Sequence, residues 1–259
     1  MRNRWPLAGF MVFGTLLLSL MVAGCRGEKK MVQYSQLYRE QPYSIYIAPI
    51  DDRSEHRPMR TVDDSTYNAS ISVAAKHLYM TAASPLVYKG YYVPGPLASA
   101  QLSLTEWRTM KQLRNESVVD YKEDLGVDAI LFITVVNWET TQNTWSVELD
   151  YTLRSTAHGD EVMHTHVKAT KTLPVDYKGR PRPLKYDRAF AQQYDCDLET
   201  AQRCVMVERV NEYVLTDLPF GSRARGNVIE RHSKTHPEYF ALHITTDGSV
   251  MVVPVDEEL

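Results

Sequence analysis

From Ala129 to Val136 the chain reads Ala-Ile-Leu-Phe-Ile-Thr-Val-Val, a continuous run of apolar, β-branched and aromatic side chains. Eight residues is strand length, far short of the roughly 20 apolar residues that cross a bilayer. A strand with one wet face alternates polar with apolar; one without alternation is covered on both faces. The run therefore predicts the centre of a sheet, and with it a layered fold in which that sheet carries packing on each side.

The neighbouring segments fit such a sheet. Trp145, Val147, Leu149, Tyr151 and Leu153 alternate with Ser146, Glu148, Asp150, Thr152 and Arg154, so the next strand has one core face and one wet face. His158-Gly159-Asp160 makes a turn, and Val162 to Leu173 returns with Met163, Thr165, Val167 and Ala169 on one side, an antiparallel hairpin. Upstream, Ser44 to Ile50 is a first strand closed by Asp51-Asp52-Arg53. Asn68 to Ala83 places Ile71, Ala75, Leu78, Tyr79 and Ala82 at helical spacing, with Ser84-Pro85 expected to break the helix and Gly90 to cap it. Tyr91-Tyr92-Val93 reads as a short strand, Thr105 as a helix cap, and Ser117 as the start of another helix ending at Gly126. Asp197 to Leu218 is the longest helix, with Leu198, Ala201, Val205, Tyr213 and Val214 near one stripe. Phe240 to Ile244 and Val250 to Val255 flank Asp247-Gly248 as a second hairpin, read as an appendage. The fold class is thus α/β (α+β): a mixed sheet with helices packed on it, plus a C-terminal β-hairpin.

The first residues belong to a different problem. Arg2 and Arg4 precede a stretch from Trp5 to Gly24 without charge, the pattern of an export signal. It ends Val22-Ala23-Gly24-Cys25, a branched apolar residue, two small ones and a thiol, which resembles the bacterial lipobox. The reading is a lipoprotein signal peptide over 1–24, cleavage before Cys25, and fatty acylation of that thiol, palmitate included. Two or three acyl chains at about 0.8 kcal/mol per buried methylene make a stable anchor. Cleavage leaves 235 residues with 27 basic and 32 acidic side chains, a net of −5, which argues against nucleic acid as a partner. Residues 25–41 read as a lipidated flexible tether, 42–223 as the α/β domain, and 224–259 as an extension bearing the hairpin. Arg26 stands where an Asp would hold such a protein in the inner membrane, so the outer membrane is expected, facing the periplasm or the cell surface.

Several segments carry a likeness to a known family. They are the lipobox at Cys25, Ile45-Tyr-Ile-Ala-Pro-Ile50, Pro85 to Val93, Leu125 to Val135, and Leu218-Pro-Phe-Gly-Ser-Arg223. In their order they resemble a family of bacterial lipoproteins typified by a surface-exposed neisserial vaccine-candidate antigen. The resemblance implies a fold like the amino-terminal domain of TolB, and association with a curli-secretion-like lipoprotein. The chain departs from the family in a longer insertion between Asp51 and Pro85, in Val162-Met-His-Thr-His166 where a tryptophan-containing strand end is usual, and in the residues after Arg223.

Residues with chemical potential are few. His158, His164 and His166 form a candidate zinc set, His164 and His166 sharing a strand face; in the register above that face is the wet one, which favours solvated surface. His232 and His236 lack the glutamate of a zincin motif. Asp51 and Asp52 close the first strand, where open sheets place ligands, although capping of the loop accounts for them more simply. The chain lacks a phosphate loop, a nucleophile elbow and a dinucleotide fingerprint. Sixteen tyrosines could present an aromatic surface to sugars or simply cover core edges. Cys196 and Cys204 form a candidate disulfide, which requires Cys196 to precede the helix, since within one helix the two would stand about 12 Å apart.

These readings lead to a non-enzymatic outer-membrane lipoprotein without a cofactor. It would serve as an interaction or assembly component of an envelope or curli-like secretion complex, with other envelope proteins or a second copy as partner. A periplasmic ligand-binding module for muropeptide or glycan is the alternative, and a metal-dependent envelope hydrolase the second alternative. The edge available for contact is expected at the Trp145 to Leu173 hairpin or at the C-terminal strand pair.

Overall fold

The computed structural model describes residues 34–54, 69–94, 118, 120–224, 239–245 and 250–253. Helix α1 (Ser35–Glu40) leads into β1 (Ile45–Ile47) and β2 (Asp51–Asp52), followed by α2 (Ala69–Tyr88) and α3 (Asp120–Leu125). Strands β3 (Ala129–Thr140), β4 (Thr144–Ser155) and β5 (Glu161–Thr172) come next, then α4 (Lys185–Tyr194), α5 (Leu198–Leu215), β6 (Tyr239–Ile244) and β7 (Val250–Val253). The strands form one mixed sheet of order β1-β3-β4-β5-β6-β7, with β2 also pairing β3. Pairings of β1 and β2 with β3, and of β5 with β6, are parallel; the other neighbours are antiparallel. A parallel neighbour requires a crossover connection. Here the two crossovers carry α2 and α5, which pack together over the sheet.

Strand β3 is covered on both faces, as its composition predicts. Ala129, Leu131, Ile133 and Val135 join the main core with Leu78, Ala82 and Leu86 of α2 and Val207, Val210 and Val214 of α5. Ile130 and Phe132 point the other way, into a second cluster with Tyr46, Ala48, Val118 and Val127. Each fully buried Leu or Ile contributes roughly 1.5–3 kcal/mol of hydrophobic free energy. A bulge interrupts β3: Val135 pairs Leu149 and Asn137 pairs Glu148, leaving Val136 as the extra residue. Because of it Trp138, rather than Asn137, turns into the core.

Helix α2 continues through Pro85 to Tyr88, beyond the break its sequence suggests. Proline removes one helical donor, yet Ala82, Pro85 and Leu86 are all buried, and that packing outweighs the local penalty. The helix ends as expected at Gly90 (φ +86), with Tyr91 N–H donating to Leu86 carbonyl at 3.1 Å and Gly90 N–H to Val87 carbonyl at 2.9 Å. Helix α3 stops at Gly126 (φ +63) in the same manner. Asp197 caps α5 by accepting from Thr200 N–H at 2.9 Å.

Three further expectations change. The segment read as tether contains α1, in which Leu37 is buried, and Tyr34 beside it donates to Asp217 at 3.0 Å; apolar anchors draw this stretch onto the domain. The C-terminal hairpin exists but extends the main sheet, through the parallel pairing of β6 with β5, and so is not a separate appendage. Leu198, placed on the core stripe of α5, is 42% exposed while Thr200 and Ala201 of the same turn are buried, so it faces away from the packed side. The helix expected at Thr105, together with His232 and His236, lies outside the described residues.

Candidate functional site

The carboxyl end of β1 is where a ligand site is expected, and there the two aspartates form the short strand β2, paired with Thr134 and Val135 of β3. Asp51 accepts from Arg53 Nε at 2.6 Å, while Asp52 Oδ1 accepts from Ser54 N–H at 3.0 Å and its hydroxyl at 2.5 Å. Burial pushes the Asp52 carboxyl up, against the lowering hydrogen bonds from Ser54. The Trp138 indole N–H faces Asp52 closely enough to lower that carboxyl, although it falls short of a well-formed hydrogen bond. Beyond Trp138 the Arg203 guanidinium lies 5.5 Å from its ring and 4.6 Å from that of Trp145, donating to Thr140 at 2.9 Å and Glu199 at 3.2 Å. Arg203 is 2% exposed. The arrangement ties this end of β3 and β4 to α5.

A second buried charge was not anticipated from sequence. Lys171 of β5 donates to Asp187 of α4, with neither side chain exposed. Asp187 also accepts from the Leu184 N–H at 3.2 Å, and the ammonium lies 5.1 Å from the Tyr186 ring. Burial lowers the Lys171 ammonium, opposed by the Asp187 charge. The available signal was the alternation itself: Met163, Thr165, Val167 and Ala169 lead in steps of two to Lys171.

Two of the three candidate histidines meet at one carboxylate oxygen, Asp150 Oδ1, which lies 3.7 Å from His164 Nε2 and 2.5 Å from His166 Nδ1. His164 is exposed on the outer face, His158 sits in the turn, and His166 is clasped by carboxylates on both nitrogens: Nδ1 to Asp150 at 2.5 Å, Nε2 to Glu148 at 2.8 Å. A metal ligand needs a free ring nitrogen, and His166 has both engaged. Among the described residues, no group of three or more His, Cys, Asp or Glu side chains is arranged to hold a metal ion. Cys196 precedes α5, as a bond to Cys204 requires, yet both thiols are free. Burial pushes the Cys204 thiol up to about 12, so it is protonated at neutral pH. Cys25 lies outside the described residues.

No family model and no curated protein matches the chain. Solved structures do. A lipoprotein from Neisseria meningitidis is similar at 19% identity over 51% of this chain and 84% of its own, with a TM-score of 0.42. A hypothetical protein from Chlamydia trachomatis is similar at 12% identity, covering 66% of this chain and 92% of its own, with a TM-score of 0.42. The C-terminal domain of LpoB from Salmonella enterica is similar at 10% identity, covering 54% and 93%, with a TM-score of 0.34. At these values the likeness is one of partial fold, and it assigns no site.

What remains for contact is surface. Strand β4 lies between β3 and β5, and β6 covers His166–Lys171 of β5, so of the Trp145 to Leu173 hairpin the outer edge of residues 161–165 is left without a strand partner among the described residues. The terminal strand of the sheet is β7, whose only strand partner among the described residues is β6. Its residues Val-Met-Val-Val carry no charge, and Met251 is 52% exposed. Edges of natural sheets are usually blunted by charge, proline or bulges, and none interrupts these four residues. A cleft of about 600 Å³ also runs between α2 and α5, lined by Thr81, Ser84, Tyr88, Glu208 and Glu212. Beside it, the hydrogen bond from His77 holds Glu208 below the usual carboxylate range.

Proposed function

We propose that this chain is a lipid-anchored protein of the bacterial envelope that works by protein contact, pairing a partner strand to β7. The observation that carries the contact reading is the uncharged terminal edge of the sheet, which offers backbone donors and acceptors in the manner of strand addition. The anchoring reading rests on Arg2, Arg4, the uncharged stretch behind them and Val22-Ala23-Gly24-Cys25. Confinement to a membrane raises the effective concentration of a weak partner without adding contacts. Contact rather than catalysis also suits the interior, where Lys171, Asp187 and Arg203 fasten helices to the sheet. The partner is another envelope protein, a curli-secretion-like lipoprotein among the candidates, or a second copy, at the outer membrane.

The test is a photo-crosslinking residue at Met251 in cells that process the full chain. One discrete envelope-protein adduct, or a homodimer, is the expected result. No adduct at Met251, together with turnover of a cell-wall substrate by the purified protein, overturns the reading. The anchor is tested separately by Cys25→Ala, which should abolish labelling by radioactive fatty acid.

A further inference from the structure

At the end of the sheet opposite β7, two tyrosines and an arginine stand together on the surface. Tyr43 is 50% exposed and Tyr92 46% exposed; their rings lie 6.1 Å apart, inclined by 25°. The Arg223 guanidinium, also exposed, lies 5.6 Å from the Tyr43 centroid and 5.9 Å from that of Tyr92. The three centres form a nearly equilateral triangle. Each residue is fixed through its backbone. Tyr43 N–H donates to Asp128 at 3.0 Å, Tyr92 N–H to Tyr43 carbonyl at 2.9 Å, and Arg223 N–H to Gly90 carbonyl at 3.1 Å. Asp128 holds the strand end further by accepting from Ser44 N–H and its hydroxyl, both at 3.0 Å. A cavity of about 270 Å³ opens between the same three segments, lined by Pro42, Tyr91, Phe220 and Ser222 among others.

We propose that Tyr43, Tyr92 and Arg223 bind an acidic sugar, a pyranose carrying a carboxylate. The guanidinium makes no ion pair with any described carboxylate, so its planar fork of donors is free to take a carboxylate in bidentate fashion. Flat aromatic rings present the apolar surface on which the C–H face of a sugar ring rests, and the phenol hydroxyls at their rims exchange hydrogen bonds with ring hydroxyls. Both chemistries meet within one sugar's width, on a backbone already ordered, so binding costs little rearrangement. The site is separate from the β7 edge, and neither reading depends on the other.

The test is ligand-observed NMR of the full chain in detergent with glucuronate, glucose and acetate. Glucose differs from glucuronate only in carrying a hydroxymethyl group for the carboxylate, and acetate offers the charge without the ring. Glucuronate should bind saturably, with glucose and acetate each about ten-fold weaker or more. Arg223→Gln should bring glucuronate down to the level of glucose, while Arg223→Lys keeps part of the difference. Tyr43→Ala with Tyr92→Ala should lose both sugars, and Tyr92→Phe should keep the stacking. All three positions are solvent-exposed, and unchanged melting temperatures separate lost binding from lost fold. Equal binding of glucuronate and acetate, no response to Arg223→Gln in a folded variant, or no saturable binding overturns the proposal.

Discussion

Lys171 and Asp187 meet at 2.5 Å in the interior, one from β5 and one from the first turn of α4, with no part of either side chain exposed. Removing one partner strands the other's charge away from water, which costs about 3–5 kcal/mol, whereas replacing both by apolar residues is often nearly neutral. Asp187→Leu and Lys171→Met should each destabilise strongly in urea titrations. The double variant should recover most of the loss; simple additivity would contradict the pairing.

Asn211 is the hub of a buried polar chain. It accepts from the Tyr151 hydroxyl at 2.8 Å and donates to Leu78 carbonyl at 2.7 Å and Thr81 Oγ1 at 2.9 Å, joining β4, α5 and α2. Asn211→Leu should cost about 1–3 kcal/mol for each group left unpaired. Burial raises the Tyr151 phenol well above 10, so its contribution is complete below the unfolded value and lost as pH rises through the folded one. Tyr151→Phe should therefore flatten the alkaline limb of the stability profile, as followed by circular dichroism.

Asp52 and Asp197 should respond to pH with opposite signs. Burial raises Asp52 in the fold, so its contribution is present below the unfolded value of about 3.9 and lost as pH rises through the folded value. Asp52→Asn should gain melting temperature at pH 7 and lose that advantage at pH 3. The Thr200 N–H lowers Asp197, whose contribution is present above the unfolded value and lost as pH falls through the folded one. Asp197→Ala should cost about 1 kcal/mol at pH 7, shrinking in acid. Matching pH trends in the two variants would contradict these environments.

Gly90 and Gly126 both have positive φ, but only one is enclosed. A Cβ on Gly90 would stand 2.4 Å from the Ala224 backbone nitrogen, while one on Gly126 meets nothing within 4 Å. Gly126→Ala should cost about 1–2 kcal/mol, the penalty of the left-handed conformation alone. Gly90→Ala should cost clearly more, because the contact is with backbone. Equal melting shifts would show that the Gly90 turn yields.

The strands were legible because alternation and its absence report burial directly: β3 without alternation is covered twice, and β4 with it is wet on one side. Proline and charge misled where packing overrode local preference. Pro85 sits inside α2 because its neighbours Ala82 and Leu86 are buried, and Lys171 sits in the core because Asp187 arrives from a helix not recognised in the sequence. Of the two edges expected, the C-terminal strand pair supplies β7, whereas β6 covers half of the hairpin's outer strand. A hairpin is visible locally, but the parallel pairing of β5 with β6 joins segments far apart in sequence, and no local period records it. Tyr43, Tyr92 and Arg223 are likewise assembled by tertiary structure, from positions that share no motif.

Val136, the extra residue in β3, has a consequence for how the chain can change length. Because two residues there face one on β4, deleting Val136 would leave Val135 and Trp138 both turned inward and every later side chain on its present side. Deleting Asp150 from unbulged β4 would instead invert one whole arm of that strand against its partners. Homologous chains one residue shorter are thus compatible with this sheet if the gap falls at 136, while a gap in the middle of β4 would demand a different core.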